Sequence, residues 1–317
     1  MKNQFSQLKQ HIHRTIVGQE KLIDRLLIAL LADGHILIES VPGLAKTTAV
    51  KALASGIDAS FQRIQFTPDL IPGDITGSDI FIPQSGQFQF MPGPIFHDII
   101  LADEINRAPP KVQSALLEAM QEQQVTAGGV SRALSETFIV IATQNPLEHE
   151  GTYPLPEAQL DRFFMKLTLD YPNEEEELAI LRLDQQRQKN DAAQSISTLT
   201  KDTILQARQH INDIYIDEML ERYIVTLVNA TRHLDRWDNA LKDALTYGAS
   251  PRATLALSRA AKAYAFLRER DFVEPGDIME IAPDILNHRI GLSFHGRAED
   301  LSHQSIIERL LDVVPVP

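Results

Sequence analysis

The chain has 317 residues, with 30 Lys and Arg against 43 Asp and Glu and a net charge of −13. At roughly 100–200 residues per domain, this length suggests about two domains, and an apolar share of 44% is enough to build their cores. The acidity argues against a chain devoted to gripping phosphate backbones, which takes clustered basic charge. The absence of cysteine excludes disulfides, thiolate metal sites and cysteine nucleophiles.

Met1 to Arg14 is polar and lacks the apolar core of a signal peptide. No apolar run approaches the roughly 18 residues of a membrane span, so a cytoplasmic chain is expected. Gln19 to Ala32 carries Leu22, Ile23, Leu26, Leu27 and Leu30 at helical spacing. His35–Glu39 reads as a strand, Lys46–Ala54 as a helix and Phe61–Phe66 as a strand. Asp79–Met91 alternates around Ser85-Gly86 and predicts a β-hairpin. Asp98–Ala102 is a strand and Pro110–Glu122 a helix. Gln124–Leu134, centred on Gly128-Gly129, predicts a second hairpin. Thr137–Thr143 and Arg162–Leu167 complete the strands. Apolar strands separated by helices imply a parallel sheet covered on both faces.

After Tyr171-Pro172 the pattern turns helical. Asn173 and Glu176 form a capping-box signature for a helix to about Lys189. Gln188–Ser197 reads as a polar loop. Helices follow over Lys201–Asn212, Asp217–Thr231, Pro251–Arg270, Pro275–Asn287 and Ser302–Leu311. The expected division is an α/β domain over 1–171 and an all-α domain over 172–317. The acidic run Glu174–Glu177 suits the first turn of a helix.

Ser40-Val41-Pro42-Gly43-Leu44-Ala45-Lys46-Thr47 follows a strand and opens a helix, the setting of a phosphate-binding loop. Backbone N–H groups at a helix N-terminus point at an anion. Lys46 would reach the phosphates, and the Thr47 hydroxyl would hold Mg²⁺. Ser40 and Ala45 stand where glycines are usual, and a Cβ there costs about 1–2 kcal/mol if the backbone is left-handed.

Ile99–Ala102 is an apolar strand running into Asp103-Glu104. Ligands of parallel sheets bind beyond the carboxyl ends of the strands. Asp103 there can hold Mg²⁺, and Glu104 can polarise an attacking water. Asn145, at the end of another apolar strand, can orient that water; the plainer alternative is a turn residue before Pro146. Arg162 precedes the last strand and can reach the nucleotide of a neighbouring subunit. Arg252 opens a helix behind the cap Ser250-Pro251, from where it can reach a phosphate. For Arg162 and Arg252 the alternatives are surface ion pairs.

Together these residues resemble the AAA+ ATPases, and within them the MoxR family of the group with an insertion in helix 2. Ile16-Val17-Gly18-Gln19-Glu20 is similar to the family's segment beside the adenine, and Glu39–Thr47 to its phosphate loop. Phe66–Pro72 and Gly93–Phe96 resemble the flanks of the insertion. Asp103–Glu122, Ala142–Pro146, Glu150–Phe163 and Gly248–Arg252 resemble further family segments, in the family's order and spacing. The resemblance implies an AAA+ core with a parallel five-stranded sheet and hairpin insertions, followed by an all-α lid. It implies ATP/ADP and Mg²⁺ as ligands. Val17, Gly18, Gln19, Val41, Pro42, Gly43, Leu44, Ala45, Lys46, Thr47 and Thr48 would bind nucleotide. Thr47 and Asp103 would hold the metal, with Glu104 for hydrolysis, Asn145 as sensor 1, Arg162 as arginine finger and Arg252 as sensor 2. It also implies a ring homo-oligomer, usually a hexamer, that remodels partner complexes, often with proteins carrying a von Willebrand factor A domain.

Two other functions compete. One is a nucleic-acid-associated or magnesium-chelatase-like motor, against which the acidity counts. The other is an ATP-gated scaffold with negligible hydrolysis, suggested by Ser40 and Ala45 and opposed by the intact Asp103-Glu104 pair. His11, His13, His288, His295 and His303 lack any zinc spacing and are expected at the surface or in caps. Arg107 is expected in a subunit contact or a local salt bridge. Phe88 and Phe90 would either pack on their own domain or project into a partner or pore.

Overall fold

The computed structural model describes residues 2–16, 18–41, 46–146, 151–189 and 199–317. In chain order these form α1 (Lys2–Thr15), α2 (Glu20–Leu31), β1 (Ile36–Ser40), α3 (Lys46–Ser55) and β2 (Phe61–Gln65). Next come α4 (Pro72–Thr76), β3 (Gly77–Ile82), β4 (Gln87–Pro92), β5 (Ile99–Asp103) and α5 (Pro110–Glu122). Then follow β6 (Gln124–Ala127), β7 (Val130–Ala133), β8 (Ile139–Gln144), α6 (Glu157–Leu160), β9 (Met165–Leu169) and α7 (Glu174–Lys189). The remaining elements are α8 (Lys201–Asn212), α9 (Glu218–Ala230), β10 (Leu245–Tyr247), α10 (Pro251–Leu267), α11 (Pro275–Leu286), β11 (Gly291–Leu292), α12 (Phe294–Ala298) and α13 (His303–Val313). Of the loop expected over Gln188–Ser197, residues 190–197 lie outside the described residues. No helix among the described residues is long and apolar enough to cross a membrane.

The chain packs as two compact units. The first holds Asn3–Leu155 and Leu167–Leu205, the second Pro156–Lys166 and Gln206–Pro317. Segment 156–166 thus packs with the second unit although it precedes residue 171.

The main sheet has five strands in the order β2-β5-β8-β1-β9. Strands β2, β5, β8 and β1 pair in parallel, with Phe61 beside Ile99, Ile99 beside Ile139 and Ile36 beside Ile141. β5 and β8 are buried along nearly their whole length, as strands covered on both faces must be. The parallel register brings Ser40, Asp103 and Gln144 to the carboxyl edge, where such sheets bind ligands.

At the amino edge, buried Asp98 joins residues that lead into β2, β5 and β8. Its Oδ2 accepts from Ser60 N (2.7 Å), Ser60 Oγ (2.6 Å) and Lys201 Nζ (2.7 Å). Its Oδ1 accepts from the Ser135 and Thr137 hydroxyls.

Both hairpins form. β3 and β4 pair with Phe81 opposite Phe88, and β6 and β7 pair with Thr126 opposite Ser131. They also meet each other, with the Arg132 guanidinium 3.7 Å above the Phe90 ring. Phe90 therefore packs within its own unit, while Phe88 is 71% exposed at the hairpin's end.

Three features differ from the sequence reading. Met1–Arg14 is polar in composition, yet Lys2–Thr15 is a helix burying Phe5, Leu8 and Ile12. These lie three and four residues apart, one stripe on a mostly polar helix. The helical second region also contains a small antiparallel ribbon, β10 with β11, where Tyr247 packs against the bare Cα of Gly291. Finally, His288 is buried rather than at the surface.

Candidate functional site

Lys46, Thr47 and Thr48 open α3 and are half-buried. Before them Val41 follows β1, while Pro42, Gly43, Leu44 and Ala45 lie outside the described residues, as does Val17. Ser40 closes β1 as extended backbone without a positive φ, so its Cβ carries none of the left-handed strain. Lys46 Nζ donates a long bond of 3.5 Å to the Ser40 carbonyl. Burial lowers the pKa of this ammonium, and the Asp103 and Glu104 carboxylates work against that shift. The lysine and the two carboxylates therefore share one electrostatic neighbourhood.

Gly18 lies at φ +75°, a backbone that favours glycine, and a Cβ there would stand 2.9 Å from the Glu176 side chain. Glu176 itself closes the expected capping box, accepting from Asn173 N while its own N–H bonds Asn173 Oδ1. Gln19 precedes α2 at its N-cap without a side-chain bond to the helix.

Asp103 is the last residue of β5, and Glu104 follows it in the left-handed region at φ 58°, ψ 50°. For a residue with a Cβ this costs about 1–2 kcal/mol, and such strain gathers at functional sites. Buried Thr143 of β8 holds the kink. Its hydroxyl donates to Asp103 Oδ1 (2.6 Å) and accepts from Glu104 N (2.9 Å). One hydroxyl thereby fixes both the carboxylate and the next residue's backbone.

The outer face is set by β2. Gln65 sits beside Asp103 in the register, and Arg63 lies two residues back on the same face. Arg63 Nη2 and Nε both reach Asp103 Oδ2, at 2.6 and 3.0 Å. Gln65 Nε2 donates to Glu104 Oε2 at 2.7 Å, and Arg107 Nη1 reaches the same oxygen at 3.0 Å. Of the two roles expected for Arg107, the local salt bridge is present. Asn145 is buried directly after β8.

Arg162 and Arg252 belong to the second unit, and both are exposed. Arg162 follows the short helix α6. Arg252 is the second residue of α10, behind Ser250, whose hydroxyl accepts from Arg252 N. Asp161 links the two segments: its Oδ2 accepts from Ser250 Oγ (2.9 Å) and lies 3.8 Å from Arg252 Nη1.

Sequence reasoning did not single out Arg63, Gln65, Thr143 or Arg289 as site residues. The one available signal for Arg63 was a charged residue inside a short strand next to the carboxylate-bearing one.

A carboxylate, a hydroxyl and a nearby ammonium match the hard-oxygen preference of Mg²⁺ and the charge of a nucleoside phosphate. Asp103 and Thr47 would hold the metal. Both Asp103 oxygens are engaged, Oδ1 by Thr143 and Oδ2 by the half-exposed Arg63, so a metal held by Asp103 would compete with Arg63 for Oδ2. The residues thus fit the group.

Residues 35–165 match the model of the ATPase family associated with various cellular activities (AAA), and residues 238–310 match that of the AAA lid domain. Chaperone MoxR1 of Mycobacterium tuberculosis is 44% identical over 96% of this chain and 80% of its own length. The uncharacterized protein YeaC of Bacillus subtilis is 44% identical over 97% of this chain and 93% of its own. Among solved structures, a candidate ATPase from Cytophaga hutchinsonii superposes with a TM-score of 0.92 at 48% identity, covering 100% of this chain and 96% of that one.

Proposed function

We propose that this chain, which belongs to the MoxR family of AAA+ ATPases, hydrolyses ATP in a Mg²⁺-dependent reaction and uses the cycle to remodel or activate partner protein complexes. The observation that carries the reading is the Asp103-Glu104 pair at the carboxyl end of β5, beside Lys46, with Glu104 held in a left-handed backbone by Thr143. In this reading Lys46, the Gly18–Gln19 segment and the loop before α3 bind ATP. Mg²⁺, held by Thr47 and Asp103, would neutralise charge on the phosphates. Glu104 accepts a proton from the attacking water, and Asn145 orients that water. Gln65 and Arg107 restrain the Glu104 carboxylate by bonding the same oxygen, Oε2.

Arg162 and Arg252 complete the phosphate contacts, Arg162 from a neighbouring subunit. We propose residues 1–171 as the ATPase domain and 172–317 as the lid, working in the cytoplasm as a ring, most simply a hexamer. The name of the Mycobacterium relative supports a chaperone-like role, and proteins carrying a von Willebrand factor A domain are the proposed partner class.

Glu104→Gln tests the mechanism, because it keeps the shape of the side chain and removes the base. Phosphate release should fall by about 10²–10⁴-fold, the usual contribution of a general base, while binding of a fluorescent ATP analogue is kept. Turnover within a few-fold of the unmodified chain would overturn the assignment. The same variant with ATP, used as bait, should retain a von Willebrand factor A protein.

A further inference from the structure

Arg289 is almost completely buried, its side chain 2% exposed. A guanidinium has five N–H donors in a rigid fork, and here all five have acceptors. Nε donates to Asp161 Oδ1 (2.9 Å), and Nη2 to the carbonyls of Phe163 (2.6 Å) and Asp161 (3.5 Å). Nη1 donates to the Phe164 carbonyl (3.1 Å) and to that of Ile285 at the end of α11. Four of the five bonds thus fall on residues 161–164, and the fifth anchors the fork to a helix. The neighbours act alike: His288 Nε2 bonds the Phe163 carbonyl and Asn287 Nδ2 the Lys166 carbonyl, both near 3 Å. Residues 287–289 therefore hold the backbone on both sides of Arg162, whose own side chain is exposed.

The hub continues through Asp161. Its Oδ1 is held by Arg289, while Oδ2 takes the Ser250 hydroxyl and lies close to Arg252. One carboxylate therefore connects the turn that carries Arg162 to the N-terminus of α10 that carries Arg252. Apolar side chains would pack a turn without the cost of desolvating a cation. A five-point fork instead fixes backbone position and direction. Lysine could not replace it, having three donors on a flexible stem.

We propose that Arg289 is a positioning residue: through Asp161 it sets the turn bearing Arg162 and couples that turn to Arg252. The proposal rests on the reading of Arg162 and Arg252 as phosphate-contacting residues. It adds that the placement of Arg162 depends on a buried residue that touches no nucleotide. Burial lowers the Arg289 pKa to about 10, against the pull of Asp161, and the group stays charged throughout the neutral range.

The test uses the full-length chain as assembled with ATP and Mg²⁺. Arg289→Lys should lower kcat by about a hundredfold, the effect of displacing an aligned group by ~1 Å. KM for ATP should change by less than about threefold, because Lys46, Asp103 and Glu104 are untouched. Mixing Arg289→Lys subunits with Lys46→Ala subunits should then restore hydrolysis. The first supplies intact Lys46 sites, and the second supplies a correctly set Arg162. Arg162→Ala run in the same two assays separates the layers. If Arg162→Ala keeps full turnover, the finger reading fails. If Arg162→Ala is inactive and rescued by mixing while Arg289→Lys keeps its kcat, the positioning role alone is overturned. A loss in Arg289→Lys that mixing does not rescue, in a chain that still binds nucleotide, also overturns it. Should Arg289→Lys fail to fold, Asp161→Asn takes its place in every arm, with the same outcomes expected and the same results refuting it.

Discussion

Asp98 sits at the opposite end of β5 from Asp103, and its replacement tests how that strand is held. Its carboxylate accepts five hydrogen bonds, from Ser60 N, Ser60 Oγ, Lys201 Nζ, Ser135 Oγ and Thr137 Oγ1. In Asp98→Ala the Ser60 and Ser135 hydroxyls can turn to other acceptors, and half-exposed Lys201 recovers its hydration. The Thr137 hydroxyl, in a residue 2% exposed, has less freedom. A stranded buried donor costs about 1–3 kcal/mol and no charge is left buried, so Asp98→Ala should cost about 2–3 kcal/mol. Asp98→Asn should cost about 1–2 kcal/mol, because its amide can donate to the Ser135 and Thr137 hydroxyls while its oxygen still accepts from Ser60 N. Trp237, the single tryptophan, belongs to the second unit. Amide hydrogen exchange along β5 and β8 is therefore the appropriate readout for the first. Protonation supplies an independent arm. Burial pushes the Asp98 carboxyl up, but the bonds from Lys201, Ser135 and Ser60 outweigh it and hold the group well below the ordinary carboxylate range. A depressed folded-state pKa gives stability that is present above the unfolded value, about 3.9, and is lost as pH falls below it. Asp98→Asn should lack that acid-side slope. A cost under about 1 kcal/mol for Asp98→Ala would refute the hub. So would Lys201→Met matching that cost in full, which would reduce the hub to its ion pair.

Arg63→Gln should lower the Mg²⁺ concentration needed for half-maximal binding of a fluorescent ATP analogue by roughly two- to fivefold, since it removes a half-exposed competitor for Asp103 Oδ2 worth about 0.5–1 kcal/mol. His288 is held neutral, its pKa lowered mainly by burial and further by Arg289, while the Phe163 carbonyl opposes the shift. A lowered histidine pKa means stability is lost as pH falls below the unfolded value of about 6.5, with a slope of at most about 1.4 kcal/mol per pH unit for one proton. His288→Gln should flatten that slope in denaturant titrations followed by Trp237 fluorescence.

The elements that carry the site were legible because their signals are local. β5 reads as an apolar run ending in Asp103-Glu104, and α5 occupies the expected Pro110–Glu122. The family segments added the order of the parts. What could not be read was pairing. Arg63 and Gln65 meet Asp103 and Glu104 only because β2 lies next to β5 in one particular register. No spacing within β2 announces that register. Thr143 was visible only as part of a family segment; its double bond to Asp103 and Glu104 depends on β8 being the other neighbour of β5. Asp161 and Arg289 stand 128 positions apart, beyond any periodicity argument. The left-handed Glu104 was equally hidden, because its conformation is imposed by contacts rather than by its residue type.

Four arginines of this acidic chain, Arg63, Arg107, Arg252 and Arg289, fall into two physical classes, and the division bears on how an anionic nucleotide could be received. Arg63, Arg107 and Arg252 have side chains 46%, 41% and 49% exposed, and each lies on a carboxylate: Asp103, Glu104 and Asp161. Half-exposed pairs of this kind contribute about 0–1 kcal/mol, so exchanging the carboxylate for a phosphate oxygen costs little. Arg289 is the opposite case, with a 2% exposed side chain and five acceptors. Leaving its carboxylate would strand a buried charge at a cost of about 3–5 kcal/mol. The first class can change partners during a nucleotide cycle, while the second stays fixed and carries the frame in which Arg252 changes partner. Asp161 joins the two classes, bonding Arg289 through one oxygen and facing Arg252 with the other. A phosphate drawing Arg252 away would therefore free only the Oδ2 side of Asp161 and leave the turn bearing Arg162 in place.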